Sequence, residues 1–258
     1  MAPLLGSILL LALLSQTAPA PAFDVASIHQ NNNSVIRWRV RLTPDGVIAE
    51  DITLHDLIHE FAWAGDPEQQ FAPEPAWVES RRFDISAKFD TTLWPHPTIE
   101  QRRQMLRQLL ADQFGLKIHH ESRDYSVYEL RIARKGPRLT PSQPTDIIHS
   151  AVFGAMCHVS GSRGNLSLRG CSLNDLVGIL NQPNNHLGRV VVDRTGLTGR
   201  YTIDLHWSPR ALDGALPDDA SGPDLTTALQ EQLGLELIPA KASLDTIVID
   251  HVELPSAN

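Results

Sequence analysis

The chain has 258 residues, a formal charge of −8 and a pI near 5.7. That length suits two small domains, and 42% apolar with 20% charged residues argues against wholesale disorder. The acidic balance argues against nucleic acid as the main partner, because phosphate binding needs clustered Lys and Arg. The densest basic runs, Arg37–Arg39–Arg41 and Arg102–Arg103–Arg107, read as solvated faces of a strand and a helix.

Residues 1–22 carry no charged side chain. The apolar block from Leu4 to Leu14 is about 11 residues long, too short to span a bilayer and right for a signal-peptide core. Ala20-Pro21-Ala22 offers a small-residue cleavage site, so the mature chain is expected to start at Phe23. An uncleaved N-terminal anchor is the alternative. No later apolar run escapes interruption by polar residues, so no transmembrane segment is expected after signal removal. The expected location is periplasmic or extracellular.

Export gives the two cysteines meaning. Cys157 and Cys171 are close in sequence, and in an oxidising compartment they read as a disulfide, ahead of a metal pair or a catalytic thiol. Closing a loop of about 15 residues contributes roughly 3 kcal/mol on the chain-entropy account.

Next along the chain comes an internal repeat. Val47–Ile58 resembles Leu166–Val177, Arg82–Phe89 resembles Arg200–Trp207, and Leu109–Ile118 resembles Ala228–Leu237. The offsets agree: Leu54 to Leu173 is 119, Phe83 to Tyr201 is 118, and Gly115 to Gly234 is 119. Thr53 and Ser172 read as helix N-caps, with Asp56 and Asp175 three residues on completing capping boxes. The following helices carry Leu54, Leu57, Ile58, Phe61 and Leu173, Leu176, Val177, Leu180 at the spacing of one buried stripe. Phe83, Ile85, Ala87, Phe89 and Tyr201, Ile203, Leu205, Trp207 alternate as half-buried strands.

Thr98 with Gln101 caps a longer helix, and Gly115 and Gly234 sit where helices end in a left-handed residue. Hairpins are expected at Val35–Leu42 with Val47–Glu50 and at Val152–Val159 with Asn165–Leu168. After each terminal Gly one more is expected, Leu116–Glu121 with Tyr125–Ala133 and Leu235–Pro239 with Thr246–Val252. The fold class is therefore α+β: two tandem ββαββαββ-like units, mostly antiparallel sheets with helices on one face. The expected boundaries are a signal at 1–22, a first repeat at 23–135, a Pro-rich linker at 136–150 and a second repeat at 151–258. Ser208 to Ser221 reads as a mobile acidic loop.

Chemistry is sparse. His55 and His59 lie four apart on the first helix with Glu60 beside them, a spacing that can put two imidazoles on one face, as in zinc peptidases. In H-E-x-x-H a Glu follows the first His, whereas Asp56 stands here, and His55 borders the apolar stripe, so no metal site is assigned. His119 and His120 are adjacent in a strand and face opposite ways. No G-x-S-x-G, P-loop or dinucleotide fingerprint occurs, and no catalytic residue or cofactor is assigned. Asp193-Arg194-Thr-Gly-Leu-Thr-Gly199 suits a tight connection between two strands, with Arg194 placed to pair with Asp193 or to reach a ligand.

Several segments carry a family resemblance: Phe23–Ile28, Trp77 with Arg82–Lys88, Val192–Tyr201, Ala228–Leu235 and Val248–Glu253. Together they resemble an uncharacterised secreted family expanded in soil Acidobacteria of the Solibacter type, which carries a domain of unknown function. The resemblance spans the mature chain and implies an extracytoplasmic setting. Some relatives are fused to a membrane peptidase-like sensor domain similar to the beta-lactam sensors. It implies no reaction and no catalytic residues. The chain departs from the family pattern at Phe71 to Pro75, where a Gly-Gly-Pro run is usual. At the level of one repeat, the order of elements is also similar to the short N-terminal domain of secretins and TonB-dependent receptors.

These readings favour a noncatalytic extracytoplasmic module that binds a protein or peptide partner, with strand edges as docking surfaces. A secreted hydrolase-like enzyme and a sensory domain acting beside a membrane peptidase-like sensor are the alternatives. His55, His59, Asp193 and Arg194 are the candidate functional residues.

Overall fold

The computed structural model describes residues 20–32, 38–150, 154–162, 164–185, 187–208 and 222–255. Most of the expected signal segment, the start of the first two expected hairpins and nearly all of the acidic loop lie outside these residues.

In chain order the first half contains β1 (Val25–Asn31), β2 (Arg39–Thr43) and β3 (Gly46–Thr53). Helix α1 follows, an α-helical turn at Leu54–Asp56 continued by π-helical turns over Leu57–Ala62. Then come β4 (Gln70–Phe71), α2 (Ala76–Ser80), β5 (Arg82–Lys88), α3 (Ile99–Phe114) and β6 (Lys117–Ile132). The second half contains β7 (Thr140–Pro141), β8 (Ile148–Ser150), β9 (Gly154–Met156), β10 (His158–Ser162) and β11 (Asn165–Cys171). It closes with α4 (Leu173–Leu180), β12 (Val190–Asp193), β13 (Tyr201–His206), α5 (Leu225–Ala228, with π-helical turns over Leu229–Leu233) and β14 (Leu235–His251).

The fold is mixed α+β with mostly antiparallel sheets. One sheet runs β1-β5-β3-β2, a second β10-β11-β13-β7, and β8 pairs with β9. The third sheet joins the halves in the order β12-β6-β14-β4. Its centre is the antiparallel pair β6 and β14, from Leu235 opposite Ile132 to His251 opposite Lys117. Each half lends a short strand to the other: β12 lies parallel to β6, and β4 lies parallel to β14.

This arrangement corrects the two terminal hairpins expected from sequence. Residues 117–132 and 235–251 are each one unbroken strand. The polar run Ser122-Arg123-Asp124 looks like a turn, but it is where the two strands face each other in solvent. Asp124 lies opposite Ser243, the Ser122 and Ser243 hydroxyls are 2.8 Å apart, and Tyr125 Oη lies 3.0 Å from Thr246 Oγ1. Only one face of this stretch meets a core, the small cluster of Leu244, Val127 and Val192, so the other face carries polar residues without the chain reversing.

The elements form where capping and periodicity place them. Thr53–Asp56, Thr98–Gln101 and Ser172–Asp175 are reciprocal capping boxes. Helices α3 and α5 end at left-handed Gly115 (φ 58°) and Gly234 (φ 64°). The stripe Leu173, Leu176, Val177 and Leu180 is buried, as are Leu54, Leu57 and Ile58. The π-helical register turns Ala62 fully inward in α1 and leaves Phe61 only partly covered, packed near Trp38.

Two large apolar cores result, with a third, small cluster of Val127, Val192 and Leu244 where β6, β12 and β14 meet. The first joins α1, α2 and α3 to the β1-β5-β3-β2 sheet, and the second joins α4 and α5 to the sheet around β11 and β13. Strands β6 and β14 serve both cores: Ile118 and Ile249 pack on the first, while Leu130, Leu235 and Leu237 belong to the second.

One basic run departs from its solvated reading. Arg102 is buried, donates from Nη1 to the carbonyls of Thr43 and Gly46 (3.1 and 3.3 Å) and lies over the Phe89 ring. Burial lowers its pKa. Arg107 donates from Nε to the Ala62 carbonyl at 2.8 Å and stacks over Trp63. Both arginines tie α3 to the neighbouring elements, where periodicity alone suggested solvent.

Candidate functional site

The clearest convergence of chemistry is a triad, His55, His59 and Glu74. Helix α1 supplies both histidines. Their four-residue spacing stacks the rings with centroids 3.8 Å apart, and His59 stacks in turn on Phe71 at 3.6 Å. Asp56, standing where a metallopeptidase Glu would be, is committed to its cap: Oδ2 accepts from Thr53 Oγ1 at 2.7 Å. Glu74 arrives from the other direction, in the segment Ala72-Pro-Glu-Pro75 between β4 and α2. The prolines on either side fix this stretch in extended form.

The Glu74 side chain is only 4% exposed, against 19% for His59 and 37% for His55. Its Oε2 lies 3.4 Å from His55 Nδ1, and Oε1 is hydrogen-bonded by His59 Nε2. One ligand atom from each residue lies within 4.8 Å of the others. Burial opposes the charge on Glu74, yet the two imidazoles outweigh it and hold the carboxyl below its usual range. A carboxylate kept charged out of water and facing two nitrogen donors can act as a hydrogen-bond clamp or as part of a cation site.

The triad borders a groove between the two halves, lined among others by His59, Phe71, Tyr125, Asn181 and Arg189. One wall is the 65–68 loop of the first half, which rests on the second. Asn181 donates to the Pro67 carbonyl at 2.9 Å and Asn174 to that of Gly65 at 3.4 Å.

Asp193 and Arg194 hold the same loop. Glu68 accepts from the Asp193 backbone N–H at 2.7 Å and from Arg194 Nη1 at 3.2 Å. The Asp193 carboxylate accepts from the Thr195 N–H instead of pairing with the Arg194 guanidinium. The segment is thus an inter-half tie. His119 and His120 face apart and pair with Asp250 and Asp245, each at 2.8 Å.

Cys157 and Cys171 form a disulfide that joins the start of β10 to the end of β11. Beyond it β10 is exposed along its length at the end of its sheet. Val159 on β10 is 51% exposed, and Ile148 and Met156, cross-strand partners on β8 and β9, are exposed too.

Sequence reasoning reached the two histidines and missed Glu74 and Glu68. The usable signal for Glu74 was an acidic residue between two prolines, 15 residues after a His pair.

Fold and site together define a mixed α+β protein whose halves share a central sheet, with a His–His–Glu triad at their groove. Residues 55–252 match the model of a family described as a protein of unknown function, DUF3738, and the chain belongs to that family. No curated protein matches the chain, and no solved structure does. Among the described residues no helix is long and apolar enough to cross a membrane.

Proposed function

We propose that the chain is an exported, noncatalytic binding module, built by internal duplication, that takes an extended peptide segment of a partner protein along the outer edge of β10. The observation that carries this is the state of that edge. Native sheets guard their end strands with Lys, Pro or bulges. His158-Val-Ser-Gly-Ser162 has no such guard and displays Val159 to solvent. Main-chain hydrogen bonds would give affinity there, and the exposed apolar side chains would give selectivity.

Export is supported by the uncharged leader and by the disulfide. Duplication is supported by the shared offsets and by matching strand orders, β1-β5-β3-β2 beside β7-β13-β11-β10. The secreted hydrolase remains the second reading, favoured by the convergence of His55, His59 and Glu74.

Fractionation of the native host, followed by capture on the purified chain, tests the module. The wild type and a Val25→Lys control on exposed β1 should retain the same partner from the periplasm or culture fluid, and Val159→Lys should lose it. A chain retained in the cytoplasm, or capture indifferent to Val159→Lys, would refute the proposal.

A further inference from the structure

We infer that His55, His59 and Glu74 form a binding site for one divalent transition-metal ion, zinc by preference, beside the inter-half groove. The inference is independent of docking at β10. Two imidazoles and one carboxylate are a donor set that zinc takes with three protein ligands and a fourth, exchangeable one. The residues are also arranged as ligands. Their donor atoms lie within 4.8 Å of one another, and the 3.4 Å between His55 Nδ1 and Glu74 is about the edge of a zinc tetrahedron, whose bonds run roughly 2.0–2.2 Å.

The order of burial suits such a site. Glu74 is the inner ligand at 4% exposure, His59 is intermediate, and His55 is outermost at 37%. An ion can therefore enter from the His55 side without opening the core. Metal-free, Glu74 is satisfied by imidazole N–H groups. On loading, each ring becomes a neutral imidazole protonated on its other nitrogen, any extra proton passing to water, and the freed nitrogen turns its lone pair to the ion. Stacking of His59 on Phe71 and the prolines beside Glu74 hold the three in place beforehand. Of the three, His59 also lines the groove, beside Phe71 and Tyr125. A water or a carboxylate on a groove-bound molecule could complete the shell.

Calorimetric titration of the untagged, metal-stripped full chain with zinc chloride tests this, with bound metal counted after dialysis. The wild type should take up one equivalent of zinc. Glu74→Gln, which keeps a side chain able to hydrogen-bond the histidines, and His59→Gln should each weaken binding by tenfold or more. His119→Gln, on the exposed pair with Asp250, should bind as the wild type does. Circular dichroism establishes that each variant is folded, and if His59→Gln is not, Glu74→Gln and His55→Gln carry the test. Failure of the wild type to hold zinc, or folded triad variants binding as tightly as the wild type, would overturn the site.

Discussion

Arg200 donates from Nη1 to the carbonyl of Gly170 at 2.6 Å, closing a β-bulge in which Gly170 is left-handed at φ 68°. The first half repeats the arrangement at Asp51, with φ 58° at a bulge and its carbonyl accepting from Arg82 at 2.9 Å. The two sites differ in what lies above them. A Cβ on Gly170 would meet the Asp146 carbonyl oxygen at 2.7 Å. Gly170→Ala therefore combines left-handed strain, about 1–2 kcal/mol for an L-residue, with displacement of the 144–146 turn. Gly188→Ala carries the strain alone, since nothing lies within 4 Å of its Cβ. Urea unfolding should show a larger loss for Gly170→Ala; equal losses would mean that the turn gives way freely.

The disulfide closes a separation of 14 residues. Replacing both cysteines with Ala should lower unfolding free energy by roughly 3 kcal/mol on the chain-entropy account. The comparison is made by urea titration of variant and parent under non-reducing conditions. Unchanged midpoints would show that the β10–β11 hairpin is held by its other contacts.

Asp204 gives a signed pH dependence. Burial works against its charge, but the Arg169 guanidinium at 2.9 and 3.0 Å and the Ser167 hydroxyl at 2.8 Å hold its carboxyl below the usual range. A depressed folded-state value means that this group stabilises the fold above its unfolded pKa, about 3.9, and that the contribution fades as pH falls through the lower folded value. Asp204→Asn should reduce stability at pH 7 and flatten the decline below pH 4. A parallel decline in variant and parent would assign the acid sensitivity to other carboxylates.

Leu130 belongs to β6 of the first half yet is fully buried in the second core. Leu130→Ala should cost about 2–5 kcal/mol, and the loss should appear equally whether unfolding is followed near Trp77 or near Trp207. Destabilisation confined to one probe would show that the halves melt separately.

Period-two and helical spacing marked Phe83–Phe89, Tyr201–His206 and the stripe from Leu173 to Leu180, because those residues answer to a core directly beneath them. The capping boxes were legible for the same reason: their partners are three residues apart. The pairing of Lys117–Ile132 with Leu235–His251 was not, since its partners are more than a hundred residues apart and its outer stretch is polar. The exchange of Gln70–Phe71 and Val190–Asp193 between halves rests on long-range pairing as well. Glu74 stayed hidden because the 63–75 reversal, not helix spacing, carries it back to His55 and His59.

The groove between the halves depends on their forming a single cooperative body through β6 and β14. Native-state hydrogen exchange under increasing urea tests it most directly. The slowest amides of β3, β6, β11 and β14 should merge onto one unfolding free energy, with a single slope on denaturant. Two separate isotherms, one for each half, with β6 and β14 divided between them, would contradict it.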